Sequence, residues 1–169
     1  MKIIFLDFDG VLNSDIYFNS SSFKNETQGM SHAEIMLVAH HVHIDPIAVQ
    51  RMNRLVEQSG AQVVVSSTWR IEYDIDELNA MLKGRGATFE IVGATPRYHD
   101  YIEIGWGRVA TPRGHEIQGY IDSLTEVPES FVILDDIDNM AHLKEFLILT
   151  DEEFGLTDRD VEKALKILG

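Results

Sequence analysis

The chain contains no cysteine. Disulfides, thiolate nucleophiles, iron–sulfur clusters and cysteine-ligated zinc are thereby excluded together, so any chemistry runs on oxygen and nitrogen groups. Basic residues are scarce: 14 Lys and Arg stand against 28 Asp and Glu, a formal net charge of -14 with histidine neutral. No basic run offsets this excess. It repels nucleic acid and anionic membrane at long range, although single arginines can still grip a phosphate. Long apolar runs are missing too. Met1-Lys2-Ile3-Ile4-Phe5-Leu6 is cut off by Asp7, short of the about 7–15 apolar residues of a signal-peptide core, and no stretch approaches the roughly 20 that span a bilayer. The expectation is a soluble, cytoplasmic protein with no membrane partner and no obligate protein partner.

What is present is the balance of a folded chain, 44% hydrophobic and 25% charged over 169 residues, a length that suits one domain spanning 1–169. Short apolar runs at 3–6, 62–65, 89–92, 131–134 and 146–149 read as buried strands, the third ended by Gly93 and the last compatible with a helix as well. Helical patterns lie between and after them. Asp45 and Pro46 open one that carries Val49, Met52, Leu55 and Val56 on one face and stops at Gly60. Others run over 74–83, from Pro112 with Ile117, Ile121 and Leu124, and from the capping pair Thr157 and Asp160. Strands alternating with helices give an α/β fold, a three-layer sandwich around a mostly parallel five-stranded sheet. Residues 14–44 and 94–111 read as loop-like excursions, the second rich in aromatics and glycine.

In such folds ligands bind beyond the carboxyl ends of the strands. Strand one ends in Asp7 and Asp9, strand two in Ser66 and Ser67, strand four in Asp135 and Asp136. Each group has a plain structural reading, since Asp-Gly pairs make turns and Ser or Asp cap helices. Their recurrence at three strand ends is what points to a site. Carboxylates converging there repel one another unless a cation sits among them, and an all-oxygen donor set favours a hard ion such as Mg2+. A carboxylate beside a bound phosphate can attack phosphorus, and a second acid two residues later can protonate the leaving oxygen and then deprotonate water. Ser66 and Ser67, the loop backbone at Gly10 and a fixed cation would hold the phosphoryl oxygens, with Arg113 the best-placed cation.

Asp7-Phe8-Asp9-Gly10-Val11-Leu12-Asn13 resembles the DxDG(T/V)L first motif of the haloacid dehalogenase-like (HAD) phosphohydrolase superfamily. Ser66 matches its second motif, and Leu134-Asp135-Asp136 its fourth. The resemblance implies Asp7 as nucleophile and metal ligand, and Asp9 as general acid/base and metal ligand through its backbone carbonyl. It implies Asp135 as a direct ligand of Mg2+, Asp136 acting through water or a hydrogen bond, and a strand order of 3-2-1-4-5. The third motif usually supplies lysine. Here Arg113 takes its place, in preference to Lys83 upstream. Val64-Val65-Ser66-Ser67-Thr68-Trp69-Arg70, Arg113-Gly114-His115-Glu116-Ile117 and the stretch 151–156 resemble the small HAD domains of nucleic-acid end repair, related to the phosphatase half of polynucleotide kinase.

The expected function is a Mg2+-dependent phosphomonoesterase with a phospho-aspartyl intermediate, acting on a nucleotide or polynucleotide terminal phosphate. No full cap domain fits in the chain, which leaves the site open to an extended substrate. The acidic charge keeps a small phosphorylated metabolite as the alternative. A non-catalytic metal-binding regulatory module is a further one, against which Asp9 speaks, because a long-lived phosphoryl switch has no use for a general acid. Transfer to an acceptor other than water would use the same residues. Arg70 reaches either substrate or nearby carboxylates. Trp69 reads as packing before base stacking, and the aromatics at 98–106 as loop anchors that can also stack a base. Of His40, His41 and His43, strand-like alternation would put the last two on one side, where local bonding is favoured over metal binding.

Overall fold

The computed structural model describes the chain except for residues 38–39, 99–100 and 105–106; of 37, 101–104 and 107–110 it describes the backbone alone. Its strands are β1 (Lys2–Leu6), β2 (Gln62–Val65), β3 (Ile91–Ala94), β4 (Tyr101–Ile104), β5 (Gly107–Ala110), β6 (Ser130–Asp135) and β7 (Leu147–Leu149). Five of them form one sheet in the order β3-β2-β1-β6-β7, every neighbouring pair parallel. This is the 3-2-1-4-5 arrangement that the resemblance implied.

The helices are α1 (Asp15–Asn19), α2 (Ser21–Glu26), α3 (His32–Leu37), α4 (Pro46–Ser59), α5 (Ile75–Gly84), α6 (Arg113–Ser123) and α7 (Asp158–Leu168). Side chains alternate between the two faces of the sheet, and both faces are covered. Ile4, Leu6, Val63, Val65, Val132 and Leu134 pack with α4, α5 and α7, whereas Ile3, Phe5, Val64 and Ile133 pack with Ile117 of α6, Met140 and Leu143. That is why the strands read as unbroken apolar runs. Burying each such side chain is worth about 1.5–3 kcal/mol. Caps fix the helices: Asp45 accepts from the Ile47 amide at the start of α4, and capping boxes Asp74/Glu77 and Thr157/Asp160 open α5 and α7.

Several boundaries differ from expectation. β3 begins two residues later than 89–92, because Phe89 is itself buried in the core ahead of the strand. Gly93 lies inside β3 rather than ending it, and a Cβ there would meet the Tyr120 hydroxyl at 2.5 Å. Phe146 closes a 3-10 helix (Ala141–Phe146) and only Leu147–Leu149 pair as a strand. Pro112 occupies the N-cap of α6, with Arg113 its first residue.

The described parts of both excursions contain regular elements that their composition does not suggest. Within 94–111, β4 and β5 pair antiparallel, Tyr101 with Ala110 and Ile104 with Gly107. Within 14–44 lie α1 to α3 and a 3-10 turn, His40–His43. Arg85 fastens this segment to the end of α5, donating to the Ile44 carbonyl and the Tyr17 hydroxyl and pairing with Glu26. The Tyr17 hydroxyl donates in turn to the Val42 carbonyl, and burial pushes its pKa up to about 12. No helix among the described residues is long and apolar enough to cross a membrane.

Candidate active site

Strand register assembles the site. Leu6 pairs with Val65 on one side and Leu134 on the other, and Val65 pairs with Ala94. One residue further along each strand, Asp135, Asp7, Ser66 and Thr95 therefore stand in a row at the carboxyl edge. Backbone bonds hold that row: Asp7 N–H to Leu134 O (3.0 Å), Ser66 N–H to Leu6 O (2.9 Å) and Thr95 N–H to Val65 O (3.0 Å). Carboxylate oxygens of Asp7, Asp135 and Asp136 lie within 4.8 Å of one another. Asp9 is not part of that cluster.

Asp7 and Asp135 are buried, at 3% and 0% exposure. Burial raises the Asp135 carboxyl to about 6, and the Asp7 charge pushes it the same way. Arg113 and the Ile137 amide, which donates at 2.9 Å, pull it back. Burial also raises Asp136, with Asp7 adding to the shift. One Nη of Arg113 donates to both Asp7 Oδ2 and Asp135 Oδ2. Burial alone would depress this guanidinium, but the two carboxylates outweigh it and the group is raised. It is a permanent cation at the cluster. Gly114 allows α6 to bring it there, because a Cβ at that position would meet the Met140 carbonyl oxygen at 2.0 Å.

The turn after Asp7 is equally crowded. Gly10 has φ +65, and a Cβ on it would meet the Asp136 carboxyl at 2.4 Å, so glycine lets the loop close over the cluster. The Gly10 amide donates to Asn13 Oδ1 (2.9 Å), and the Thr150 hydroxyl donates to the Gly10 carbonyl (2.8 Å). Asp9 points the other way. Its carboxylate accepts from Asn13 Nδ2 (2.9 Å) and from Trp69 Nε1 (3.0 Å). Trp69 is 5% exposed and lies between Phe8 and His40, with ring centroids at 4.9 and 4.0 Å. It is packing, as expected, and a donor to Asp9 as well. Asn13, Trp69 and Thr150 are the partners that sequence reasoning missed. Asn13 was visible only as the last residue of the first motif, and Thr150 carried no signal.

Ser66 Oγ is buried beside Asp7 and has no hydrogen-bond partner, a trait shared among the described residues by Thr95 Oγ1. An orphaned buried hydroxyl is costly, and one adjacent to a carboxylate cluster suits an incoming ligand oxygen. Thr95 is two strands from Asp7, roughly 10 Å away, beyond reach of the same phosphoryl group. Ser67 Oγ accepts from the Trp69 amide and caps the 3-10 turn Thr68–Ile71. Arg70 has all five N–H groups engaged, on the carbonyls of Ser66, Ser67, Thr95 and Pro96 and on Glu116 Oε2 (2.6 Å). It ties the ends of β2 and β3 to α6. Lys83 is exposed on α5.

The histidines adopt 3-10 rather than strand geometry, so the pair that meets is His40 and His43, with centroids at 4.8 Å, while His41 is exposed. His40 stacks on Trp69 and bonds the Tyr73 hydroxyl through Nδ1 (2.7 Å). Of the aromatics at 98–106, Tyr98 is exposed and its amide donates to Glu116 Oε1. The Tyr101 side chain and Trp106 lie outside the described residues.

The family model described as the HAD domain in Swiss Army Knife RNA repair proteins matches residues 3–161. The chain belongs to this family. No curated protein and no solved structure matches it significantly. In this HAD domain the Asp7, Asp135 and Asp136 cluster supports phosphatase chemistry of the HAD type. Three carboxylates with neither sulfur nor imidazole suit a hard divalent cation, and the unpartnered Ser66 hydroxyl suits a phosphoryl oxygen beside it.

Proposed function

We propose that this HAD domain is a Mg2+-dependent phosphomonoesterase that removes the terminal phosphate of a nucleotide or polynucleotide. The observation that carries the reading is the shared edge of β1, β2 and β6, where Asp7 stands between an orphaned Ser66 hydroxyl and the Asp135 and Asp136 carboxylates. The family description, which names RNA repair, supports the nucleic-acid side of the reading. Residues 1–169 act as one unit, and the excursions at 14–44 and 94–111 are too short for a full cap domain.

Asp7, Asp135 and Asp136 would hold Mg2+, together with the Asp9 backbone carbonyl. When bound, the ion neutralises the carboxylates and polarises the phosphoryl group. An Asp7 carboxylate oxygen attacks phosphorus, the bond to the leaving oxygen breaks, and Asp9 gives that oxygen its proton. Water then attacks the phospho-aspartate, Asp9 takes a proton from it, and phosphate leaves with Asp7 regenerated. Ser66 donates to a phosphoryl oxygen, the loop at Gly10 closes on the group, and Arg113 supplies fixed positive charge as oxygens gain negative charge. Asp9 suits its role because Asn13 and Trp69 hold it away from the cluster. Ser67 and Arg70 serve substrate binding by holding the loop that presents Ser66.

The test is hydrolysis of mononucleotides, sugar phosphates and oligonucleotides bearing 3′- or 5′-phosphate, with and without Mg2+. Turnover of nucleotide or oligonucleotide ends that requires Mg2+ and vanishes in Asp7→Asn is the expected result. Preference for sugar phosphates would move the substrate to small metabolites, as the charge of -14 would favour. Full activity of Asp7→Asn would overturn the mechanism.

A further inference from the structure

A cleft of about 260 Å3, lined by Asp9 and by none of Asp7, Asp135 and Asp136, opens between the His40–His43 turn and the Thr68–Ile71 turn. Asp9 lines it, so a group in the cleft lies next to the proton donor of the proposed reaction, where the leaving group must be. Three rings line it, those of Trp69, His40 and His43, along with the thioether of Met36. Trp69 and His40 are stacked, their planes within 19°. His43 stands edge-on to His40 and to Phe18 of α1, so the wall is braced from behind. Burial holds both imidazoles below their usual pKa, which favours uncharged rings at neutral pH.

The charged groups narrow the occupant further. Asp9 and Glu72 line the cleft, and among the described residues neither Lys nor Arg does. Carboxylates accept from hydroxyl and N–H donors and repel a phosphate. A flat, neutral group rich in such donors fits, and a nucleoside is one. The volume sits just below the about 300–1,000 Å3 of ordinary ligand pockets, enough for one nucleoside and not for two.

We propose that this cleft seats the nucleoside that carries the scissile phosphate, its base against His40, His43 and Met36 and its ribose between Asp9 and Glu72. The proposal rests on the phosphatase reading above and deepens it, because the cleft then selects the terminal nucleoside of the substrate. Aromatic and thioether surfaces bind any base by its π face, so the preference is for a nucleoside over an aliphatic alcohol rather than for one base.

The experiment compares kcat/KM for adenosine 3′-monophosphate and glycerol 2-phosphate in the Mg2+-loaded protein and in His43→Ala and Met36→Ala. Met36 is exposed, so its variant keeps the test valid should His43→Ala unsettle α1 and α2. The preference of nucleotide over glycerol phosphate is expected to fall about tenfold in each variant. A second readout needs no turnover. The chain has two tryptophans, so in Trp106→Phe protein Trp69 alone fluoresces, and adenosine should quench it, about tenfold more weakly in His43→Ala. A preference untouched by both variants, or quenching that survives them, overturns the cleft assignment and leaves the phosphatase reading standing. Failure to hydrolyse either ester with Mg2+ instead refutes the phosphatase reading, and the quenching experiment then decides alone whether the cleft binds a nucleoside.

Discussion

Arg113→Ala removes the cation that Asp7 and Asp135 share. Both carboxylates are buried, and the Arg113 side chain is itself only 15% exposed. Taking one partner from such a group costs about 3–5 kcal/mol, set against a total stability of about 5–15 kcal/mol for a chain of this kind. The loss depends on pH in a definite direction. The Asp135 carboxyl sits at about 6 in the folded chain, against about 3.9 when unfolded. A raised folded value contributes stability that is fully present below about pH 4 and lost as pH rises through 6, on the order of 3 kcal/mol for a shift of about two units. Arg113 limits that loss by holding the carboxyl down, so without it the folded value climbs further. Near pH 4 the penalty should shrink, because the Asp135 carboxyl is then protonated and no longer needs the counter-charge. Above about pH 6 the full penalty should appear, and millimolar Mg2+ should recover part of it by replacing the missing charge. Urea denaturation at about pH 4.5 and 7.5, with EDTA or with Mg2+, reads all of this. A penalty equal at both pH values, or one that Mg2+ does not reduce, would refute the electrostatic account.

Ser66→Ala should hold stability or raise it, since the hydroxyl has no partner to lose and its burial is costly, while kcat/KM for a phosphate ester falls roughly 100-fold; a stability loss without an activity loss would reverse the assignment. Trp69→Phe keeps a ring between Phe8 and His40 but deletes the bond to Asp9 Oδ2. Its kcat should drop roughly tenfold or more on alkyl phosphates and much less on 4-nitrophenyl phosphate, whose leaving oxygen needs no proton; equal losses on both would deny Trp69 its positioning role. Arg70→Met strands the buried Glu116 carboxylate and four carbonyls, and should cost about 3–5 kcal/mol in urea denaturation. Adding Glu116→Gln should restore part of that loss, and no recovery would show that the pair contributes nothing beyond packing.

The parts that were legible in the sequence are those written in contiguous residues. Each of the three central strands is a run of apolar side chains that ends in a polar group, so Asp7, Ser66 and Asp135 could be placed at strand ends from local pattern alone. Helix starts at Asp45 and Thr157 were legible for the same reason, because a cap and its amide are neighbours in the chain. β3 was misplaced because its register depends on Phe89 being taken into the core and on Tyr120 leaving no room beside Gly93. The pairing of β4 with β5 was hidden among glycines and aromatics with no clear alternation.

Residue types and their local spacing thus determined which groups this protein brings to its site: carboxylates, a serine and an arginine, with no sulfur. Tertiary structure alone decided how they are used. It turned Asp9 toward Trp69 and away from the cluster, spent every donor of Arg70 on the protein itself, and left the Ser66 hydroxyl unpaired. The reason is physical. A side chain's bonding partners are set by what the packed sheet and helices bring within about 3 Å of it, and those neighbours come from distant parts of the chain.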